Sequence, residues 1–104
     1  MATRVVQGIV LLAHGARDPR GRELIEAVAA RTQALSPEAR VRCAYLELAE
    51  PDLRGAVAAL AGEGATAIRV APLFLGTGKH AREDIPRQLD ALRAEWPALA
   101  FTPG

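Results

Sequence analysis

The 104-residue sequence predicts an α/β fold: a three-layer α/β/α domain on a four-stranded parallel sheet, flavodoxin-like in outline. Three observations lead there. Short apolar runs rich in Val, Ile and Leu alternate with longer stretches of helical apolar spacing. The runs are continuously apolar rather than alternating, as in strands covered on both faces. Each is bounded by Gly, Pro or His-Gly turn formers, which leaves connections of only a few residues.

The first strand is expected over Gly8–Ala13, stopped by His14-Gly15. A helix follows over Pro19–Leu35, where Leu24, Val28 and Leu35, with Ile25 beside them, form an apolar stripe opposite Arg20, Glu23, Glu26 and Arg31. After the Ser36-Pro37 break the second strand spans Val41–Leu46. Pro51 suits a first helical turn, and Leu53, Val57 and Leu60 carry a second stripe as far as Gly62. The third strand, Ala67–Phe74, leads into Gly76-Thr77-Gly78. A third helix over Ala81–Trp96 presents Ile85, Leu89, Leu92 and Trp96 on one side, with Pro86 near its start and Pro97 ending it. A fourth, weaker strand covers Ala98–Thr102. The order β-α-β-α-β-α-β implies right-handed crossovers with helices on both sheet faces, in a single domain over residues 1–104.

Composition narrows the function classes. Half the residues are apolar and 24% are charged, which is globular, not disordered. A formal net charge of +1 gives no broad footprint for nucleic acid or an anionic membrane. Aromatic residues make up 4%, too few for base-stacking platforms. No apolar run approaches the roughly 20 residues that span a bilayer, and the N-terminus does not read as a signal peptide. The single cysteine, Cys43, lies in an apolar run and reads as a small core residue. A reducing, cytoplasmic location is the expectation.

In open parallel sheets, ligands bind beyond the carboxyl ends of the strands, where neighbouring connections leave to opposite faces. This chain puts its polar chemistry there. His14-Gly15-Ala16-Arg17-Asp18 follows the first strand, Glu47-Leu48-Ala49-Glu50 the second, and Gly76-Thr77-Gly78-Lys79-His80-Ala81-Arg82 the third. Both histidines of the chain fall on this edge. If the first and third strands are neighbours, about 4.8 Å apart, His14 and His80 face a common opening. Two neutral imidazoles with a carboxylate, for which Glu47 is placed, suit a borderline divalent metal such as cobalt, nickel, zinc or ferrous iron. Arg17, Arg20, Lys79 and Arg82 flank the opening and suit a ligand bearing several carboxylates.

Other motifs fail on context. Gly76-x-Gly78-x-x-Ala81 follows the third strand rather than the first, which excludes a dinucleotide fingerprint. Gly78-Lys79 lacks the earlier glycine and the Ser/Thr of a phosphate-binding loop. Ala13 stands where a histidine phosphatase carries arginine. The glycines instead allow a tight turn and close approach of a planar ligand.

LLAHGARDPRG, YLELAEPDL and VAPLFLGTGKHAREDIP, in this order and spacing, resemble the class II tetrapyrrole chelatases, specifically the small sirohydrochlorin chelatases of the CbiX/SirB type. The resemblance runs from Gly8 to about Leu92. It implies insertion of cobalt, ferrous iron or, in some members, nickel into sirohydrochlorin, feeding cobalamin, siroheme or a nickel tetrapyrrole. The family's metal-binding histidines map onto His14 and His80 and its active-site acid onto Glu47. Arg17, Gly76, Gly78, Lys79 and Arg82 are then the expected substrate-binding residues. The metal is a substrate and no cofactor is implied. Small members are half of a two-lobed chelatase, so a homodimer is expected. The alternative is a metal or tetrapyrrole carrier of the same fold without turnover. Members often carry Ser where Ala16 stands, small or apolar residues where Lys79 stands, and a further segment beyond the position of Gly104.

Overall fold

The computed structural model describes residues 6–15, 19–47, 50–73 and 79–103. The elements are β1 (Gln7–Gly15), α1 (Pro19–Leu35), β2 (Arg40–Glu47), α2 (Leu53–Gly62), β3 (Ala67–Leu73), α3 (Lys79–Glu95) and β4 (Ala100–Pro103). The strands form one parallel sheet in the order β2-β1-β3-β4. The chain therefore steps from β1 outward to β2, crosses back over β1 to β3, and continues to β4.

The expected α/β/α layering is present. Strand alternation sorts the side chains to two faces. Val10 and Leu12 of β1, Ala44 of β2, Ile68 and Val70 of β3 and Phe101 of β4 form one core with Leu53, Val57 and Leu60 of α2 and Ile85, Leu89 and Leu92 of α3. On the other face α1 lies over β1 and β2, covering Leu11, Ala13, Val41 and Tyr45. The connections of β1 and β3 thus leave to opposite faces, which makes the gap between these two strands the topological switch point.

Helix boundaries follow local chemistry. The second helix starts at Leu53, not at Pro51, because the Asp52 carboxylate accepts from the Gly55 N–H at 2.8 Å and caps it. Its far end runs into Gly64, whose φ of +92° favours glycine. The third helix begins at Lys79, two residues earlier than its apolar spacing indicates, and Pro86 lies inside it. Between α1 and β2 one side chain closes the turn: the Gln33 amide donates to Ser36 O (3.1 Å) and Ala39 O (2.7 Å) and accepts from Val41 N–H (3.1 Å). Gly8 lets α2 approach β1, since a Cβ there would meet Leu60 Cδ1 at 3.0 Å and Ile68 Cδ1 at 2.9 Å.

The stripe on α1 is the main departure from the sequence reading. Leu24, Val28 and Leu35 are 60%, 36% and 73% exposed, while Ile25, Ala29, Thr32 and Gln33 are the half-buried positions. Among the described residues α1 is the one helix on its face. Next to it, Arg69 of β3 and Thr102 of β4 are exposed and Ala67 and Ala71 half-buried. One face of this sheet carries two helices and the other one.

Candidate functional site

The sheet order puts the ends of β1, β2 and β3, where the sequence-predicted His14 and Glu47 stand, at one rim. The first and third strands are neighbours, with Ala13 opposite Leu73 at their carboxyl ends. On the other side of β1, Gly15 is the register partner of Glu47. The backbone of His14 therefore lies one residue from the pairing partner of Glu47, and β3 ends beside it. His80 is the second residue of α3, the helix that follows β3. His14, Glu47, Lys79, His80 and Arg82 take their places here from these backbone positions. Arg17, Gly76 and Gly78 lie outside the described residues.

Glu47 is the last residue of β2, and Glu50 and Pro51, the next described residues, are held from two sides. The Tyr45 N–H donates to Pro51 O at 2.9 Å, folding the start of α2 back onto the end of β2. From α1, the Arg22 Nη2 donates to Glu50 O at 3.1 Å. The same guanidinium lies 6.0 Å from the Tyr45 ring centroid and donates through Nε to Glu26 at 3.2 Å. Sequence reasoning passed over Arg22. The one signal available was its position four residues before Glu26, which predicts a helix-surface pair and nothing about β2.

Tyr45 itself is 1% exposed, and its hydroxyl has no hydrogen-bond partner among the described residues. Burial raises its pKa from the ordinary phenol value, helped by the neighbouring Cys43 and Glu26 and opposed by Arg22. The half-buried Cys43 is raised as well, first by burial and then by Glu26, with Arg22 opposing. Both groups are thus held neutral beneath α1, though Cys43 is half-buried and not the core residue that its apolar run suggests.

The open groove formed by described residues is at the other rim. It has a volume of ≈ 640 Å³ and is lined by Gln7, Ile9, Leu35, Glu38 and Arg69, among others, at the amino ends of the strands. It contains none of the predicted site residues, and in parallel sheets that rim rarely carries chemistry.

Comparison with known proteins agrees with the geometry. The sequence profile of the CbiX family matches residues 8–103. The sirohydrochlorin cobaltochelatase of Methanopyrus kandleri is 36% identical over 88 residues, covering 85% of this chain and 61% of that protein. The sirohydrochlorin ferrochelatase of Bacillus subtilis is 30% identical over 98 residues, covering 94% of this chain and 38% of its own length. The crystal structure of the sirohydrochlorin chelatase SirB from Bacillus subtilis subspecies spizizenii, in complex with cobalt, superposes with a TM-score of 0.83 at 30% identity, over 94% of this chain and 42% of that one. The chain thus spans less than two thirds of the length of these relatives. Motif order, sheet topology and profile converge, and the chain belongs to the CbiX family.

Proposed function

We propose that this protein inserts a divalent metal ion, cobalt or ferrous iron and by extension nickel, into sirohydrochlorin. The observation that supports the reading is the register of β1 between β2 and β3, in which β1 and β2 end together at Gly15 and Glu47, one residue past His14, and β3 ends opposite Ala13. Relatives named as cobalto- and ferrochelatases support it.

Insertion exchanges two pyrrole N–H protons for M²⁺, so a site must hold the metal and accept protons. Neutral imidazole suits both tasks, and His14 and His80 are assigned to the metal. Glu47 assists delivery of the metal or removal of a proton. Arg17, Lys79 and Arg82 pair with the carboxylates of the macrocycle, while Gly76 and Gly78 permit its close approach. The metal is a substrate, and the mechanism calls on no cofactor. The setting is cytoplasmic, where Cys43 stays reduced.

The working unit is a homodimer. Exposed Leu24, Val28 and Leu35 on α1 and the uncovered side of β3 and β4 support a second copy at this face. A two-fold arrangement sets the α1 of each copy, with its apolar side chains and the exposed Glu23, against a sheet face that carries the exposed Arg69.

The test is anaerobic metallation of sirohydrochlorin followed by visible absorbance, with cobalt, ferrous iron and nickel compared. Wild-type protein turns over many equivalents, while His14→Ala and His80→Ala lose at least about a hundredfold in rate with unchanged circular dichroism. Stoichiometric binding without turnover identifies a carrier instead, and full activity in the double variant removes the histidine assignment.

A further inference from the structure

Glu47 ends a strand at a rim, and a carboxylate that works there has to be held in place from outside its own strand. Two contacts hold Glu50 and Pro51, which follow it, and a third reaches its own strand. The Tyr45 N–H donates to Pro51 O at 2.9 Å, so the chain leaving Glu47 returns to the strand it left. The Arg22 Nη2 reaches across from α1 to Glu50 O at 3.1 Å. The guanidinium face sits 6.0 Å from the centroid of the Tyr45 ring, which is buried two residues before Glu47. A fourth contact, Nε to Glu26 Oε1 at 3.2 Å, orients Arg22 from its own helix.

We infer that Arg22 is a positioning residue for Glu47, tying Tyr45 on one side of it and Glu50 on the other to α1. The inference rests on the chelatase reading above, in which Glu47 works at the reaction centre. Arg22 is half exposed, with 49% of its side chain accessible. A residue so placed contributes little to global stability. Its task is local: a planar fork donates at one edge to a helix carboxylate, at another to a loop carbonyl, and lays its face toward an aromatic ring. Lysine, a point charge on a flexible stem, cannot do these three things at once. Displacing a group at a reaction centre by about 1 Å costs up to a hundredfold in rate, so the loss shows in turnover before it shows in stability.

The experiment is a double-mutant cycle in the metallation assay, with Arg22→Gln, Arg22→Lys, Glu47→Gln and the Arg22→Gln/Glu47→Gln pair. Arg22→Gln lowers kcat about tenfold or more, leaves KM for sirohydrochlorin and the thermal midpoint near wild type, and is not rescued by Arg22→Lys. In the Glu47→Gln background it causes no further loss. Amide exchange at Tyr45, read by NMR with or without activity, quickens in Arg22→Gln. An unchanged Tyr45 exchange rate overturns the inference, as does an Arg22→Gln loss of equal factor in both backgrounds. A wild-type protein without turnover, or a Glu47→Gln variant at full rate, counts against the chelatase reading itself.

Discussion

The Cys43 thiol lies 3.8 Å from the Ile25 carbonyl oxygen, joining the middle of β2 to the second turn of α1. This places the chain's one thiol under a helix whose outer side is largely exposed. It also makes the α1 layer sensitive to alkali. Cys43 and Tyr45 both have folded-state pKa values above their ordinary values, 9.0 for the thiol and 10.0 for the phenol. The unfolded chain then loses these protons at lower pH than the folded one. Their contribution to stability is complete below pH 9.0 and erodes as pH rises through the folded values. Urea midpoints measured across this range fall above pH 9.0 in wild type, and later, from 10.0, in Cys43→Ala. Coincident curves for the two proteins would contradict the assignment.

Tyr45→Phe raises stability by about 1 kcal/mol, because it removes a buried hydroxyl that has no partner among the described residues and keeps the ring. Tyr45→Ala, which empties the same space, costs about 3–5 kcal/mol. Chemical denaturation of both variants checks the pair, and a loss in Tyr45→Phe would mean that the hydroxyl is bonded.

Leu24→Glu combined with Leu35→Arg converts the proposed dimer to monomer without unfolding the chain, since both side chains are exposed in the single chain. Sedimentation equilibrium of wild type and variant gives the answer. Equal masses for the two would move the dimer contact elsewhere on the molecule.

The two glycines at the end of α2 respond in opposite directions to alanine. Gly64 holds φ at +92°, so Gly64→Ala costs about 1 kcal/mol. Gly62 is helical with open space around a Cβ, so Gly62→Ala gains about 0.5 kcal/mol. Thermal midpoints of the two variants on opposite sides of wild type are the expected outcome.

Most of the fold was legible because apolar runs and turn formers are local signals. All seven elements occur in the expected order, with ends moved by a residue or two where a side chain such as Asp52 takes over as cap. The backbone positions of His14 and Glu47 at the ends of β1 and β2 were legible for the same reason, since each follows an apolar run. What periodicity cannot say is who covers an apolar stripe. Leu24, Val28 and Leu35 have the spacing of a core face, yet the single chain leaves them in water. Nor does it record contacts between elements distant in sequence. Arg22 meets Glu50 and Tyr45 only because α1 packs over β2, and no pattern within either segment announces it.

The central place of β1 in the sheet has a further consequence for biogenesis. Its two neighbours are made in sequence, β2 first and β3 only once Leu73 has been added. While the chain is being synthesised, β1 therefore waits with one edge of backbone N–H and C=O groups unpaired until most of the polypeptide exists. Non-local parallel pairing of this kind is slow and exposed to misassociation, so the nascent chain depends on shielding for longest at the strand that carries His14.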